Sequence, residues 1–336
     1  MSPKFNLIYK LKRNQKLSTK KKLKLRKKYK PKKKASKKRK KYIIIFLTLL
    51  LIIICFITFQ KIFHKKIFRY INKHPQDDLT LVSAYYRMKS KHSRESYLRR
   101  INNIVLLNKS FVIFSNKEFM PTLKEMRPKE LHYKTIFIEK EIEEFYSYKN
   151  FYKEFNEAFK HDIENRYHTV PLYMVWAEKT MFLKEAIEKN YFKSKCFYWI
   201  DIGYFHQEKK NDMEKYINKW PTTKKCLEDN RIIIGQVRHF SNEDKQKILN
   251  FSHSAHKKLK RKTNVAGGFF GGQIENTLKF INLYYETLKL FIEHKLFIGK
   301  DQNIYTYMAF AHPEIINLIK FGGGRFHDFK FILMDK

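Results

Sequence analysis

The run from Tyr42 to Phe59, Tyr-Ile-Ile-Ile-Phe-Leu-Thr-Leu-Leu-Leu-Ile-Ile-Ile-Cys-Phe-Ile-Thr-Phe, carries no charge over its whole length. Wound as a helix at roughly 1.5 Å per residue it spans about 27 Å, which matches a thin, endoplasmic-reticulum-like bilayer. A core helix of a soluble domain would keep one polar face, and this stretch has none. It is longer than the apolar core of a signal peptide, and Gln60-Lys61-Ile62-Phe63-His64-Lys65-Lys66 follows it in place of a small-residue cleavage site. Residues 42–60 are therefore expected to stay in place as a transmembrane signal anchor.

Charge then orients the anchor. Residues 1–41 hold 21 Lys/Arg and no acid, and taking those from the formal +39 leaves +18 for the rest. Runs such as Lys37-Lys38-Arg39-Lys40-Lys41 bury nothing, so the tail is expected to be disordered. Because lysine and arginine resist translocation, the tail is placed on the cytoplasmic side against anionic lipid. Residues 61–78 read as a basic stem ending at His74-Pro75, and 79–336 as a domain facing the lumen. The expected layout is a single-pass type II protein of the Golgi or endoplasmic reticulum. Confinement of most excess charge to the tail argues against nucleic acid as a partner of the domain. Sequons at Asn108 and Asn250 would be used only in a lumen, and Cys196 and Cys226 are either one disulfide or two free thiols.

The domain alternates apolar runs with amphipathic stretches. Strands are predicted at 79–86, 111–114, 135–138, 197–202 and 231–235. Helices are predicted at 93–107, around 121–127, at 171–190, 273–295 and 304–311, with a charged, aromatic and peripheral helical segment over 141–166. Strands separated by helices of this length imply βαβ units and a parallel sheet. Tyr85, at the end of the first strand, is either a ring to stack on a base or a surface tyrosine.

Three stretches carry candidate chemistry. Cys196-Phe197-Tyr198-Trp199-Ile200-Asp201-Ile202-Gly203 reads as a buried strand that delivers one carboxylate to the rim of a sheet, where α/β folds bind ligands. An acid there suits a divalent metal or a sugar hydroxyl, and an ordinary turn aspartate fits the same pattern. Ala266-Gly267-Gly268-Phe269-Phe270-Gly271-Gly272 precedes a long helix and reads as a glycine-rich ligand loop, or as tight packing. Gly299-Lys300-Asp301-Gln302 opens a further helix, with Asp301 suited to be its N-cap.

In this order and spacing, the Trp176-x-x-Lys179 helix, Asn190, Phe197–Gly203, Ala266–Gly272 and Gly299–Gln302 resemble the HtrL/YibB family over about residues 79–320. That family is similar to glycosyltransferases of the GT-A fold, an α/β class with a mixed sheet flanked by helices. The resemblance implies a nucleotide-sugar donor and a glycan or glycoconjugate acceptor. Asp201 falls where such enzymes hold Mn²⁺ or Mg²⁺ with Asp-x-Asp, but Gly203 replaces the second acid, so the donor diphosphate is expected to contribute two oxygens and His327 or His312 a further ligand. An arginine expected near His206 is absent from that position. Asp301 and Gln302 are implied as the catalytic pair, with Asp301 as base. Tyr85, Lys179, Gly267, Gly268, Phe269, Gly271 and Gly272 are implied donor contacts. The competing expectation is a catalytically inactive sugar-binding or scaffold protein on the same fold, which the missing second acid favours.

Overall fold

The computed structural model describes residues 39–61, 75–89, 93–206, 208–260, 264–320, 330, 333 and 334. The expected tail up to residue 38, the stem over 62–74 and the closing glycine run with His327 lie outside the described residues. Contacts divide the chain into two units, 1–71 and 72–336.

In the first unit, α1 (Arg39–Lys61) is one helix long and apolar enough to span a membrane. Its two threonines return their hydroxyls to the backbone, Thr48 to Ile44 O at 2.9 Å and Thr58 to Ile54 O at 2.8 Å. Neither hydroxyl is left unpaired on an otherwise apolar helix, which is what a hydrocarbon environment demands.

The second unit opens with β1 (Leu79–Tyr85), α2 (Arg94–Ile104), β2 (Ser110–Ser115), α3 (Met120–Met126) and β3 (Thr135–Glu139). These three strands pair in parallel as predicted. There follow α4 (Tyr146–Lys160), α5 (Val170–Lys189), β4 (Cys196–Ile200), α6 (Glu214–Ile217), α7 (Lys224–Glu228) and β5 (Ile232–Gln236). The rest is α8 (Asn242–Leu249), α9 (His253–Lys260), β6 (Val265–Gln273), α10 (Ile274–Glu293), α11 (Asp301–Ala311) and β7 (Ile316–Lys320). The sheet runs β3-β2-β1-β4-β6-β5-β7, and β6 alone is antiparallel to its neighbours. The architecture is a mixed α/β sheet flanked by helices.

Two elements correct the prediction. The glycine-rich stretch is not a ligand loop but β6, paired on one side with β4 and on the other with β5. Its glycines yield space to neighbouring strands: a Cβ at Gly271 would stand 2.1 Å from Phe197 O and 2.7 Å from the Tyr198 ring, and its φ of +154° disfavours any side chain. Asp301 does not cap α11, since Lys300 occupies that position and Asp301 lies in the first turn. Strand β7, which short alternation at the chain's end did not signal, closes the sheet beside β5.

Alternation along each strand feeds two cores, one per face. Phe197 and Trp199 of β4 join Val82, Phe114 and Phe270 against α5 and α10, while Cys196, Tyr198 and Ile200 join Leu81, Ile113 and Phe269 on the other face. This is why β4 is apolar at every position. Helix α5 starts at Thr169, whose hydroxyl accepts from Leu172 N–H at 3.3 Å, and ends at Asn190 in the left-handed region, φ 35°. Asn190 then bonds both backbone groups of Ser194, at 2.8 and 3.1 Å, and turns the chain into β4.

A disulfide joins Cys196 at the start of β4 to Cys226 in α7, 30 residues on. Its removal by Cys226→Ser should lower unfolding free energy by about 3 kcal/mol, read from urea midpoints, and the variant should show no further loss in reductant. Gly271→Ala should cost more than about 3 kcal/mol in the same assay, because backbone and not a flexible side chain blocks the new methyl group.

Candidate functional site

Strands β1 and β4 lie side by side at the centre of the sheet, with β2 and β3 beyond one of them and β6, β5 and β7 beyond the other. Chain connections therefore diverge from this pair, and the crevice at its carboxyl end is where an open α/β sheet accommodates a ligand. A cleft of about 500 Å³ occupies that position. Helix α5 lines it with Leu172, Val175, Trp176 and Lys179, and α2 with Tyr97 and Arg100. The strand ends contribute Tyr85, Trp199, Asp201 and Gly203, and Lys89 and His206 complete its polar lining.

The cleft is organised by one buried cation. Lys179 Nζ lies 3.0 Å from Asp201 Oδ1 and 2.9 Å from Asp301 Oδ2, and donates to Gly267 O at 3.1 Å. The lysine is 4 % exposed, Asp301 5 % and Asp201 37 %, so only Asp201 of the three meets solvent appreciably. Burial alone would lower the Lys179 pKa, but the two carboxylates outweigh it and hold the group above its ordinary value. Burial raises the Asp301 pKa, Lys179 pulls it back, and the net direction is upward. Asp201 is fixed further: Trp199 Nε1 donates to its Oδ1 at 2.7 Å, and its own N–H donates to Gly268 O at 2.8 Å.

Of the residues expected from the sequence, the structure brings Tyr85, Lys179 and Asp201 to the cleft wall. Asp301 touches the cleft only through Lys179, because its carboxylate is enclosed and its Oδ1 accepts from Gln302 N–H at 2.8 Å. In this arrangement the Asp301 carboxylate, expected as base, faces Lys179 and not the cleft. Gln302 packs on Gly267, where a Cβ would stand 3.1 Å from its side chain and 3.4 Å from the Asp301 carboxylate; the absence of a side chain at 267 lets α11 approach. Phe269 is fully buried between the rings of Tyr198 and Trp220, at 4.9 and 5.1 Å, and not presented to a donor. Gly268 offers its carbonyl to Asp201, whereas Gly271 and Gly272 abut neighbouring strands. His312 pairs with Glu314 at 3.3 Å, away from the cleft lining, and His327 lies outside the described residues. Sequence reasoning missed Arg100 and the Trp199 indole. Nothing in α2 distinguishes Arg100 from Arg99 until the helix is docked.

The expected divalent metal does not fit what is described. Among the described residues no three His, Cys, Asp or Glu side chains converge on one point. Among the described residues Asp201 is the one acid lining the cleft, and its Oδ1 already serves Trp199 and Lys179. A hard divalent ion wants several oxygens and would stand against an ammonium here.

Replacing Lys179 by Met should destabilise the protein by about 3 to 5 kcal/mol, since two carboxylates lose their counter-charge. Adding Asp301→Asn should recover part of that loss, and a double-mutant cycle in urea measures the coupling. Equal effects of Lys179→Met in the presence and absence of Asp301 would rule out the buried pair as the source.

A family described as a bacterial protein of unknown function, HtrL_YibB, matches residues 77–333. Protein HtrL of Escherichia coli (strain K12) is 20% identical over 253 residues, which cover 72% of this chain and 83% of that protein. The matched span contains all seven strands, the Lys179 cluster and every residue that lines the cleft. The chain belongs to the HtrL/YibB family.

Proposed function

We propose that the unit over 72–336 is a glycosyltransferase of GT-A type, taking a sugar from a nucleotide-sugar donor to a glycan or glycoconjugate acceptor. The observation that carries this reading is a single exposed carboxylate, Asp201, at the carboxyl end of β4 in a cleft walled by Tyr85, Tyr97 and Trp176. Aromatic walls suit a base and a sugar ring, and a carboxylate held in place by an indole and an ammonium suits sugar hydroxyls. A mixed sheet with its ligand crevice beside the central strands is consistent with the GT-A resemblance.

In this reading the acceptor oxygen bonds to the anomeric carbon as the bond from that carbon to the donor diphosphate breaks. The acceptor proton passes to a base, and Asp201 is the carboxylate in reach of a bound ligand. Asp301 serves instead to keep Lys179 charged and stationary. A second reading, a sugar-binding or scaffold protein without catalysis, is favoured by one observation: among the described residues Asp201 is the sole acid lining the cleft, with no second carboxylate there to divide the work of acid and base.

The proposal includes topology. An apolar helix preceded by a strongly basic tail, together with a disulfide that needs an oxidising compartment, supports a type II protein with residues 72–336 in the lumen of the Golgi or endoplasmic reticulum.

Full-length protein in detergent, incubated with a panel of sugar nucleotides with and without Mn²⁺, should hydrolyse or transfer at least one donor. Asp201→Asn should lower that rate by about a hundredfold or more, with a thermal midpoint that falls but still shows a folded protein, because Asp301 and the Gly267 carbonyl continue to hold Lys179. Donor binding without turnover by the wild-type protein would select the second reading, and neither binding nor turnover with any donor would sink both.

A further inference from the structure

We propose that Arg100 is the cation that receives a diphosphate in this cleft, and that it does so without a divalent metal; the inference deepens the donor-binding reading and rests on it. Arg100 projects from α2 into the cavity beside Gly203, where its Cδ lies 3.5 Å from the point a Cβ would occupy. Its Nε is buried and has no hydrogen-bond partner, and among the described residues its guanidinium forms no ion pair. Among the described residues the ring of Tyr97 engages it, 5.3 Å from the guanidinium carbon, and stacking of this kind fixes the plane of the fork. A buried donor without a partner is rare in a folded protein, and a guanidinium that lines a cavity and carries such a donor has hydrogen-bonding capacity left for an external acceptor.

Charge in the rest of the cleft favours Arg100 over Lys179 for this role. Lys179 is the other deeply placed cation, and it is held by two carboxylates and a carbonyl, so it has little to offer a ligand. Asp201, which would otherwise attract Arg100, is engaged by Lys179 and by Trp199. The division of labour is therefore specific: the lysine neutralises the carboxylate, and the arginine is left free to face an anion. A planar guanidinium presents paired N–H groups that match the oxygens of a phosphate, a geometry an ammonium lacks. Lys89 and His206 line the same cavity and stand as secondary contacts.

The test uses the full-length protein in detergent, titrated calorimetrically with inorganic pyrophosphate and with UDP, ADP, GDP and CDP, all in EDTA. The expected result is binding in EDTA that Arg100→Gln weakens by about ten- to a hundredfold. Arg100→Lys, which keeps the charge and loses the fork, should fall between them, and its thermal midpoint checks that the fold survives. Equal affinity of wild type and Arg100→Gln overturns the assignment. So does binding that appears only when Mn²⁺ replaces EDTA, and so does the absence of binding by pyrophosphate and by every nucleotide. Arg100-dependent binding with no sugar transfer to any acceptor would uphold this inference while the transferase reading fails, so the two are separable.

Discussion

Everything around the cleft depends on how an ammonium is accommodated where water is excluded. An isolated charge at such a depth costs several kcal/mol, and it persists only if opposite charges and hydrogen-bond acceptors enclose it. Lys179 on α5 finds one acid at the end of β4, another in the first turn of α11, and a carbonyl on β6. Four elements, α5, β4, β6 and α11, are thereby tied at one point. The arrangement also ranks the two acids. Asp301 is committed to the interior, and Asp201 keeps one side toward the solvent.

The reversed strand makes this geometry possible. Because β6 runs antiparallel between β4 and β5, its start lies beside the end of β4, which brings Gly267 and Gly268 to Lys179 and Asp201. Its glycines do structural work at both ends. Gly271 leaves room for the Phe197 carbonyl and the Tyr198 ring, and Gly267 leaves room for Asp301 and Gln302. Glu178, the neighbour of Lys179 on α5, is equally buried but turned to a different task. It accepts from the N–H groups of Tyr146 and Ser147, each at 3.0 Å, and caps the start of α4. Consecutive residues of one helix thus anchor the cleft and the helix beside it.

Much of the fold was legible in local pattern. The βαβ order of the first three strands, the buried character of β4 and the amphipathic α5 and α10 follow from apolar spacing, and the structure has each of them. The family was legible too, because five short motifs in fixed order are specific where one is not. What misled was glycine. A run of four in seven residues has the composition of a loop, and its place in a strand depends on which rings lie on either side, information that resides in β4 and β5 and not in the run itself. Strand β7 was missed for a related reason: five residues without strict alternation gain their order from pairing with β5.

By itself, the sequence determined that the chain carries a helix long and apolar enough to cross a membrane, that an α/β domain follows it, and that Asp201 stands at the rim of the sheet. Those properties follow from hydrophobic run length and periodicity, which act over neighbouring residues. Only the tertiary structure decided that Asp301 is enclosed, that Lys179 neutralises rather than presents charge, and that Arg100 of α2 lines the cleft. The reason is that burial and pairing are set by groups far apart along the chain but adjacent in space, as Lys179 is to Gly267 and Asp301, and no local pattern encodes which charge will find which partner.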